Sequence, residues 1–551
     1  MSSTSLQFLP KLVTVLYEGY SFKRFGADTI AGLTVAVVAL PLSMGIAIAS
    51  GVSPDRGLFT AVVAGFLVSA FGGSRFQVGG PTAAFIVVVY RIVERHGYDG
   101  LALASLMAGL ILLAAGLLRL GTYVKYVPYP VTIGFTSGIG VTIFVSQIAD
   151  LLGLSTGKLP GDFIPKVTVL AHALPSLTPV AAVLAAVAVT LILVLKAWRP
   201  NWPGLLVSVI TTSILVVLFH LDVVTIGSKF GAMPSSLPWP ALPAISWDRL
   251  VGVAPDAATI ALLAGIESLL SAVVADGLTG SRHRSNGELV AQGIANIVSP
   301  LFGGLPATGA IARTATNIRA GSTGPVSGVL HAVFVLIIMI VAAPLMSYVP
   351  LACLAAILTI VAWNMSEVHV VIGLIRTCDW GDRIVLIGTF LLTIFFDLTV
   401  GILFGVIVSA VLFMHQMAES VELSGATPDD AVEDAAIAAA VERGDVAVFR
   451  VTGPFFFGAA SMLAQTLGQI GARPKRLIID FSAVPLVDAT GAAALRGVID
   501  AAGRQATDVV LTAMSRPVMR SLLRHGVTKA GGHVSSAASI GEALKTEGPR
   551  S

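Results

Sequence analysis

Two short stretches, GGPTAA at residues 79–84 and GGLPAT at residues 303–308, decide how this chain folds. Each opens an apolar segment that is too short to cross a bilayer as a complete helix. Paired short segments interrupted by glycine and proline are typical of inverted repeats whose half-helix starts face one site. The start of a helix presents free N–H groups and the positive end of the helix dipole. The pair therefore predicts a site for a small anion inside a membrane protein.

The composition places most of the chain in lipid. Of its 551 residues, 55% are hydrophobic and only 12% are charged, against about 25% charged in soluble domains. Several uncharged runs approach the roughly 20 residues that span a hydrocarbon core: residues 101–118, 131–149 and 180–195. Lys11, Lys23 and Arg24 precede the first apolar run, so we expect a multi-pass plasma-membrane protein with a cytoplasmic N-terminus.

Hydropathy divides the chain into four parts. Residues 1–25 are predicted as a cytoplasmic lead, 26–418 as a transmembrane domain, 419–440 as an acidic linker and 441–551 as a soluble α/β domain. We count about fourteen apolar segments, in two halves joined by the proline- and glycine-rich residues 220–250. Seven segments per half is an odd number, so the halves are expected to be inverted relative to each other. The even total returns the C-terminus to the cytoplasm.

The soluble tail shows alternating strand and helix patterns. Strands are predicted at residues 446–451, 477–481 and 508–512, and helices at residues 459–470, 491–504 and 516–525. About 110 residues suffice for one small domain.

Glu267 is the strongest single candidate for chemistry. It lies in the apolar run at residues 257–275, where a carboxylate costs about 2.5–3.5 kcal/mol on insertion scales and is rarely without a role. The internal repeat places its helix beside the half-helix that follows residues 303–308. We expect Glu267 to carry a proton, charged while the site is empty and protonated when an anion is bound. A structural carboxylate bonded to a neighbouring helix end is the alternative.

The substrate site is predicted at the two half-helix starts. Small side chains there let backbone N–H groups approach an anion, and threonine hydroxyls add donors; ordinary close packing of small residues is the alternative. The residues concerned are Thr82, Ala83, Thr308, Gly309 and Ala310.

Two further polar residues follow these features by one helical turn. Arg313 lies beyond the second half-helix start, and it either adds positive potential to the site or pairs with a carboxylate. Ser271 lies on the same helix face as Glu267, and it either joins the ion-coupling site or bonds to its own helix.

The sequence gives no sign of an enzyme or of a bound cofactor. We recognise no P-loop, no metal-ligand spacing and no nucleophile–base set. The basic loop at residues 282–284 is expected to follow the positive-inside rule rather than to bind nucleic acid. In the tail, Thr490 is either a phosphorylation site at a helix start or the cap of that helix, and we favour the cap.

Together these motifs resemble the SulP family of anion transporters, the sulfate-permease group. The resemblance covers nearly the whole chain, and the tail resembles a STAS domain whose phosphorylatable loop corresponds to residues 488–491. It implies fourteen helices in a seven-plus-seven inverted repeat with core and gate domains, an elevator-like movement and a homodimer. A cytoplasmic protein partner of the STAS domain is also implied. The motifs that carry the resemblance lie at residues 32–54, 71–85, 267–276 and 303–321.

The resemblance further implies a secondary active transporter. Family substrates include sulfate, bicarbonate, chloride and dicarboxylates, and a Glu at the position of Glu267 is associated with proton coupling. We therefore expect proton-coupled symport of a small anion. Sodium coupling, an uncoupled exchanger or channel, and a membrane-anchored regulator acting through the STAS domain are the alternatives. Two residues depart from the family pattern: Leu42, where many members have Gln, and Ala489, where Ser is usual.

Overall fold

The computed structural model describes residues 7–199, 202–419, 422–425, 445–456, 474–527 and 533–545. Residue contacts divide the chain into two units, Met1–Val406 and Ile407–Ser551, and each is described by itself. The first unit is helical apart from two very short strands, and the second contains a small sheet.

Among the described residues, seventeen α-helices begin in the first unit, and the last of them, α17, continues into the second unit. In chain order they are α1 (Lys11–Tyr17), α2 (Phe22–Ala49), α3 (Pro54–Phe71), α4 (Ile86–Leu117), α5 (Tyr129–Leu152), α6 (Phe163–Ala173), α7 (Pro179–Trp198), α8 (Gly204–Leu218), α9 (Ile226–Phe230), α10 (Trp247–Thr279), α11 (Ser285–Val298), α12 (Ile311–Arg319), α13 (Val326–Met346), α14 (Leu351–Met365), α15 (Val368–Thr377), α16 (Trp380–Phe395) and α17 (Leu398–Glu419). The strands are β1 (Gly79–Gly80) and β2 (Thr308–Gly309). The first long helix, α2, begins within the stretch predicted as a lead.

Nine helical stretches of the described residues are long and apolar enough to cross a membrane. The predicted segments outnumber them for two physical reasons. Helix α4 breaks its regular backbone at Gly97, where φ is 67°, so one continuous helix supplies two predicted segments. Helices α8, α11, α12 and α16 are shorter than a full span and were counted by hydropathy. The predicted class, a polytopic helical membrane protein with a soluble α/β domain, is confirmed.

The long helices pack as two groups. Helices α2, α3, α4, α10, α11, α12 and α13 contact one another, and a second group contains α5, α7, α8, α14 and α16. Small residues allow the close approach that drives helix association in lipid. Gly109 of α4 and Gly293 of α11 are an example, because a Cβ on either would lie 2.7–2.8 Å from the other's carbonyl oxygen. We call the first set the core group and the second the gate group.

An antiparallel pair of two-residue strands joins the two halves at their centre. Gly79 lies opposite Gly309, and Gly80 lies opposite Thr308. Gly80 has a φ of 150°, and a Cβ there would lie 2.0 Å from Nη1 of Arg313, so only glycine fits. The pairing brings the start of α4, which follows a short 3₁₀ turn at Ala83–Phe85, next to the start of α12.

The second unit carries a five-stranded sheet in chain order. The first strand is antiparallel to the next, and the others are parallel. The elements are β3 (Glu422–Gly425), β4 (Val446–Thr452), β5 (Arg476–Ala483), α18 (Ala489–Arg504), β6 (Asp508–Thr512), α19 (Arg516–Arg524), β7 (Val534–Ala537) and α20 (Ile540–Lys545).

The predicted strands of the tail and its helices at residues 491–504 and 516–525 are confirmed. The helix predicted at residues 459–470 lies outside the described residues, as does most of the acidic linker. Strand β3 lies within that predicted linker, and its pairing with β4 shows that this part of the linker belongs to the sheet. Strand β7 was not predicted, because its four residues, VSSA, carry no strong apolar alternation.

Candidate functional site

Glu267 of α10 faces the half-helix starts. The hydroxyl of Thr82 donates a hydrogen bond of 2.9 Å to Oε2 of Glu267, and the hydroxyl of Thr308 lies 3.5 Å from that of Thr82. Both threonines are buried, whereas the Glu267 side chain is partly exposed. The two half-motifs and the membrane carboxylate therefore meet at one point.

The second half-motif is held against α10 by its backbone. The N–H of Gly309 donates to the hydroxyl of Ser268 at 3.0 Å. Nε2 of Gln77 donates to the carbonyl oxygen of Ser268 at 3.1 Å, and a Cβ on Gly309 would lie 1.5 Å from that nitrogen. Gly309 thus serves as a position of close approach, because any side chain would displace Gln77.

The first residues of α12 are exposed, whereas the residues that follow them are buried. Ala310 is the N-cap residue, and its N–H donates to the carbonyl oxygen of Val78 at 3.0 Å. Ile311 and Ala312 are exposed, while Arg313 and Thr314 are buried. The first N–H groups of a helix have no partner within the helix, so this first turn can offer them to an anion. At the other start, Ala83 is buried.

Arg313 is almost completely buried and has no carboxylate within ion-pair distance among the described residues. Its Nη2 donates to the hydroxyl of Ser43 at 2.9 Å and to the carbonyl oxygen of Pro81 at 3.2 Å. Its Nη1 donates to the carbonyl oxygen of Gly79 at 3.5 Å. The ion pair considered from the sequence is therefore absent from this part of the chain. The guanidinium braces the first half-motif and leaves a positive charge beside it.

Ser271 is also buried, and its hydroxyl donates to that of Thr314 at 3.2 Å. Thr314 in turn accepts from the N–H of Val78 at 3.2 Å. The hydroxyl of Ser271 therefore links α10 to α12, one turn away from the Glu267 carboxylate, rather than bonding back to its own helix.

Sequence reasoning missed Glu288, a completely buried carboxylate of α11. Its Oε2 accepts from the N–H groups of Gly73 and Ser74 at 2.8 and 3.1 Å, and its Oε1 accepts from Gln292 at 3.0 Å. The two backbone donors, Gly73 and Ser74, lie in a loop more than two hundred residues away along the chain. The available signal in the sequence was the pair Glu288 and Gln292, which lie four residues apart on one face of α11.

The loop between α10 and α11 contains an arrangement that the sequence analysis did not recognise. Nδ1 of His283 lies 2.7 Å from Oδ2 of Asp276, and its Nε2 lies 2.9 Å from the hydroxyl of Ser285. The N–H of His283 donates to the same carboxylate at 2.9 Å. These contacts hold the loop in place, because the Asp276 carboxylate bonds both the backbone N–H and the ring of His283.

In the soluble domain, Asp488 caps α18 in place of Thr490. Its Oδ1 accepts from the N–H of Gly491 at 2.6 Å. Thr490 is exposed in the first turn of the helix. The interpretation of Thr490 as the helix cap is therefore wrong, because the aspartate two residues earlier already occupies that position.

Comparisons with known proteins identify the family of the chain. A model described as "Sulfate permease family" matches residues 25–389, and a STAS domain model matches residues 438–537. YvdB of Bacillus subtilis is 42% identical over 88% of this chain and 90% of its own length. The bicarbonate transporter BicA of Synechocystis is 33% identical over 91% of this chain and 90% of its own.

A solved structure agrees over both units. The murine Slc26a9 anion transporter in its inward-facing state is 19% identical and matches the fold with a TM-score of 0.85, covering 99% of this chain and 94% of that one. The chain belongs to the sulfate permease family and ends in a STAS domain. It is a multi-pass membrane transporter for anions, and the transporter names of its relatives support the expectation that it is not an enzyme.

Proposed function

We propose that this protein is a secondary active transporter that carries a small anion, sulfate or bicarbonate as its relatives' names suggest, together with a proton. The observation that carries the proposal is the buried Arg313 without a carboxylate partner among the described residues, set beside two paired helix starts. A buried cation is costly unless it is paired. A bound anion would supply the missing negative charge. Thr82, Ala83, Thr308, Gly309 and Ala310 would surround it.

Glu267 is proposed as the proton carrier. Its carboxylate already accepts from Thr82, so a proton that arrives with the anion would neutralise a second negative charge at the same point. Moving one charge across 100 mV is worth about 2.3 kcal/mol, and co-transport of a proton with a monoanion removes that term. Ser271 would support this carboxylate through its contact between α10 and α12. Sodium coupling and uncoupled exchange are the competing modes.

The movement proposed is an elevator-like slide of the core group against the gate group. The half-helix starts, Glu267 and Arg313 all belong to the core group, so a bound anion would travel with it. We further propose a homodimer in the plasma membrane with both termini in the cytoplasm. The STAS domain would there meet a cytoplasmic partner, with Thr490, exposed at a helix start, as its regulatory residue.

The test uses the purified full chain in liposomes. Uptake of labelled sulfate, bicarbonate and fumarate is measured with and without an inward proton gradient, and again with a sodium gradient. We expect one anion to accumulate only with the proton gradient. Gradient-independent uptake would overturn proton coupling, and accumulation driven by sodium alone would replace it.

A matched pair of variants isolates the carboxylate. Glu267→Gln should retain counterflow exchange of the anion and lose proton-driven accumulation, because the amide keeps the shape but carries no exchangeable charge. Glu94→Gln is the control, since Glu94 is exposed. Undiminished accumulation in Glu267→Gln would refute the proton-carrier role.

A further inference from the structure

Two cavities lie at corresponding places in the two halves, each between core-group helices and the last helix of its half. One, of about 830 Å³, is lined by α4, α10, α11 and the start of α17. The other, of about 760 Å³, is lined by α2, α8 and α13. Helices α2 and α10 open the two halves, and α8 and α17 are the last helices of each. The repeat therefore produces two grooves of similar position and size, so that a difference between their lining residues marks a property that one groove has and the other lacks.

The difference lies in charge. Arg95, Asp256 and Asp397 line the first groove, beside the hydroxyls of Thr259 and Thr399. The lining of the second groove contains no charged residue, and its polar members are Ser213 and Tyr348. We call them the charged groove and the neutral groove.

The charged groove has the length of one lipid leaflet. Along α10 it extends from Pro255 and Asp256 to Ile266, which is about 15 Å at 1.5 Å per residue. This is half of the roughly 30 Å hydrocarbon core. Beyond the charged end the lining is largely apolar: Ile111, Leu112, Ala115, Leu262, Leu289, Val400 and Leu403. A polar end and an apolar length of about 15 Å fit a headgroup and its acyl chain.

The charges at the polar end are not all used within the described residues. Asp397 is fully engaged, because it accepts from Arg91 at 2.7 Å and from the N–H of Thr399 at 2.8 Å. Asp256 has one ion-pair partner, His96, at 3.7 Å, and its side chain is 24% exposed; Arg95 lies outside ion-pair distance but close enough to attract this carboxylate. Arg95 is exposed and forms no ion pair in this part of the chain. An open cation thus stands near an under-compensated carboxylate.

We propose that the charged groove binds one phosphatidylethanolamine molecule per chain. Its phosphate pairs with Arg95, its ammonium group donates to Asp256, and one acyl chain occupies the apolar length beside Leu262. A headgroup with both charges matches both residues, whereas an anionic headgroup leaves Asp256 uncompensated. A quaternary ammonium has no N–H to donate, so phosphatidylcholine fits less well.

The site lies between the core-group helix α10 and α17, the last helix of the second half. The hydroxyls of Thr259 on α10 and Thr399 on α17 are 3.0 Å apart, so a lipid beside them touches a core helix and the start of α17. On the proposed function, such a lipid changes the turnover of the core movement. The binding itself does not depend on that function.

Binding is measured by native mass spectrometry of the full-length protein, after exchange into detergent with equal amounts of phosphatidylethanolamine, phosphatidylcholine and phosphatidylglycerol of identical acyl chains. We expect one phosphatidylethanolamine per chain, retained at least fivefold above the other two. Arg95→Gln and Asp256→Asn, both at the solvent-accessible mouth, should each reduce that preference to less than twofold. Equal retention of the three lipids in the unaltered protein would overturn the proposal.

A second pair of variants separates the groove from general lipid adhesion. Leu262→Trp fills the apolar length and should lower phosphatidylethanolamine retention at least fivefold. Val341→Trp adds the same ring to an exposed position of α13 that lines neither cavity and should change nothing. Retention unaffected by Leu262→Trp would overturn the proposal. Because no transport is measured, failure here is distinct from failure of the symport mechanism.

Discussion

The two halves of the membrane unit share a frame but differ in charge. Thr82 and Thr308, which are 226 residues apart, meet at the centre. The same spacing relates Glu267 to Pro41 and Arg313 to Val87. Each half therefore supplies a helix start and a threonine, while only the second half supplies a carboxylate and a guanidinium. In the first half, Pro41 interrupts the hydrogen-bond ladder of α2 instead.

The difference teaches how a symmetric fold obtains an asymmetric site. Arg313 reaches across to Ser43 and Pro81 of the first half, and Glu267 accepts from Thr82 of the first half. The first half contributes acceptors and one hydroxyl donor, and the second half contributes the charges that use them. A few such differences between the two repeats are therefore enough to make the site asymmetric.

The largest effect is expected from removing the charge on the second half. Arg313→Met deletes the donors to Ser43, Pro81 and Gly79 and leaves no cation, so anion uptake should fall at least about 100-fold, which corresponds to about 2.7 kcal/mol. Val87→Met, at the related position, should change uptake less than about threefold, since it exchanges one apolar side chain for another at a half-buried position and removes no polar contact. Initial rates in liposomes measure both. Arg313→Lys should recover part of the activity, and equal losses in Arg313→Met and Val87→Met would break the comparison.

A smaller effect should separate the two threonines. Thr82→Val removes a hydrogen bond to a carboxylate, worth about 1.5–3 kcal/mol, so proton-driven uptake should fall at least about tenfold. Thr308→Val removes two weak contacts of 3.5 Å each, to the hydroxyl of Thr82 and to the carbonyl oxygen of Gly309, and should cost about threefold or less. Uptake at a fixed inward proton gradient gives both values. Identical losses would mean that Thr82 and Thr308 contribute equally to holding the Glu267 carboxylate.

The smallest effect concerns Ser268, which the same spacing relates to Leu42. Ser268→Ala leaves the N–H of Gly309 without its 3.0 Å acceptor, at a cost of about 1 kcal/mol, and should lower the melting temperature in detergent by a few degrees. Leu42→Met keeps an apolar side chain of similar volume and should leave the melting temperature nearly unchanged. A larger fall for Leu42→Met than for Ser268→Ala would show that packing, rather than this hydrogen bond, fixes β2.

Much of this arrangement could be predicted from the sequence because its signals are local. The glycine- and proline-rich starts at residues 79–84 and 303–308 and the carboxylate of Glu267 each stand out against apolar surroundings. In the tail, the strand at residues 508–512 has the predicted bounds, since its apolar run is closed at both ends by polar residues.

The remainder depends on contacts between distant parts of the chain. Nothing near Glu288 in sequence shows that its partners are Gly73 and Ser74. Likewise, the sequence leaves Arg313 equally able to bond a carboxylate or a backbone carbonyl. Thr490 was misread for a simpler reason, because Asp488 and Thr490 are both acceptable helix caps and only the backbone decides between them.

The pairing of β1 with β2 also has a consequence for how the protein is made. Within a bilayer, backbone N–H and C=O groups must be satisfied by the protein itself, yet Gly79 and Gly80 find their strand partners only in Thr308 and Gly309. While the ribosome is still completing the second half, the backbone groups of β1 lack their strand partners. Insertion of the early helices therefore precedes formation of the site, and a chain that stops before residue 308 leaves the backbone groups of β1 without their strand partners.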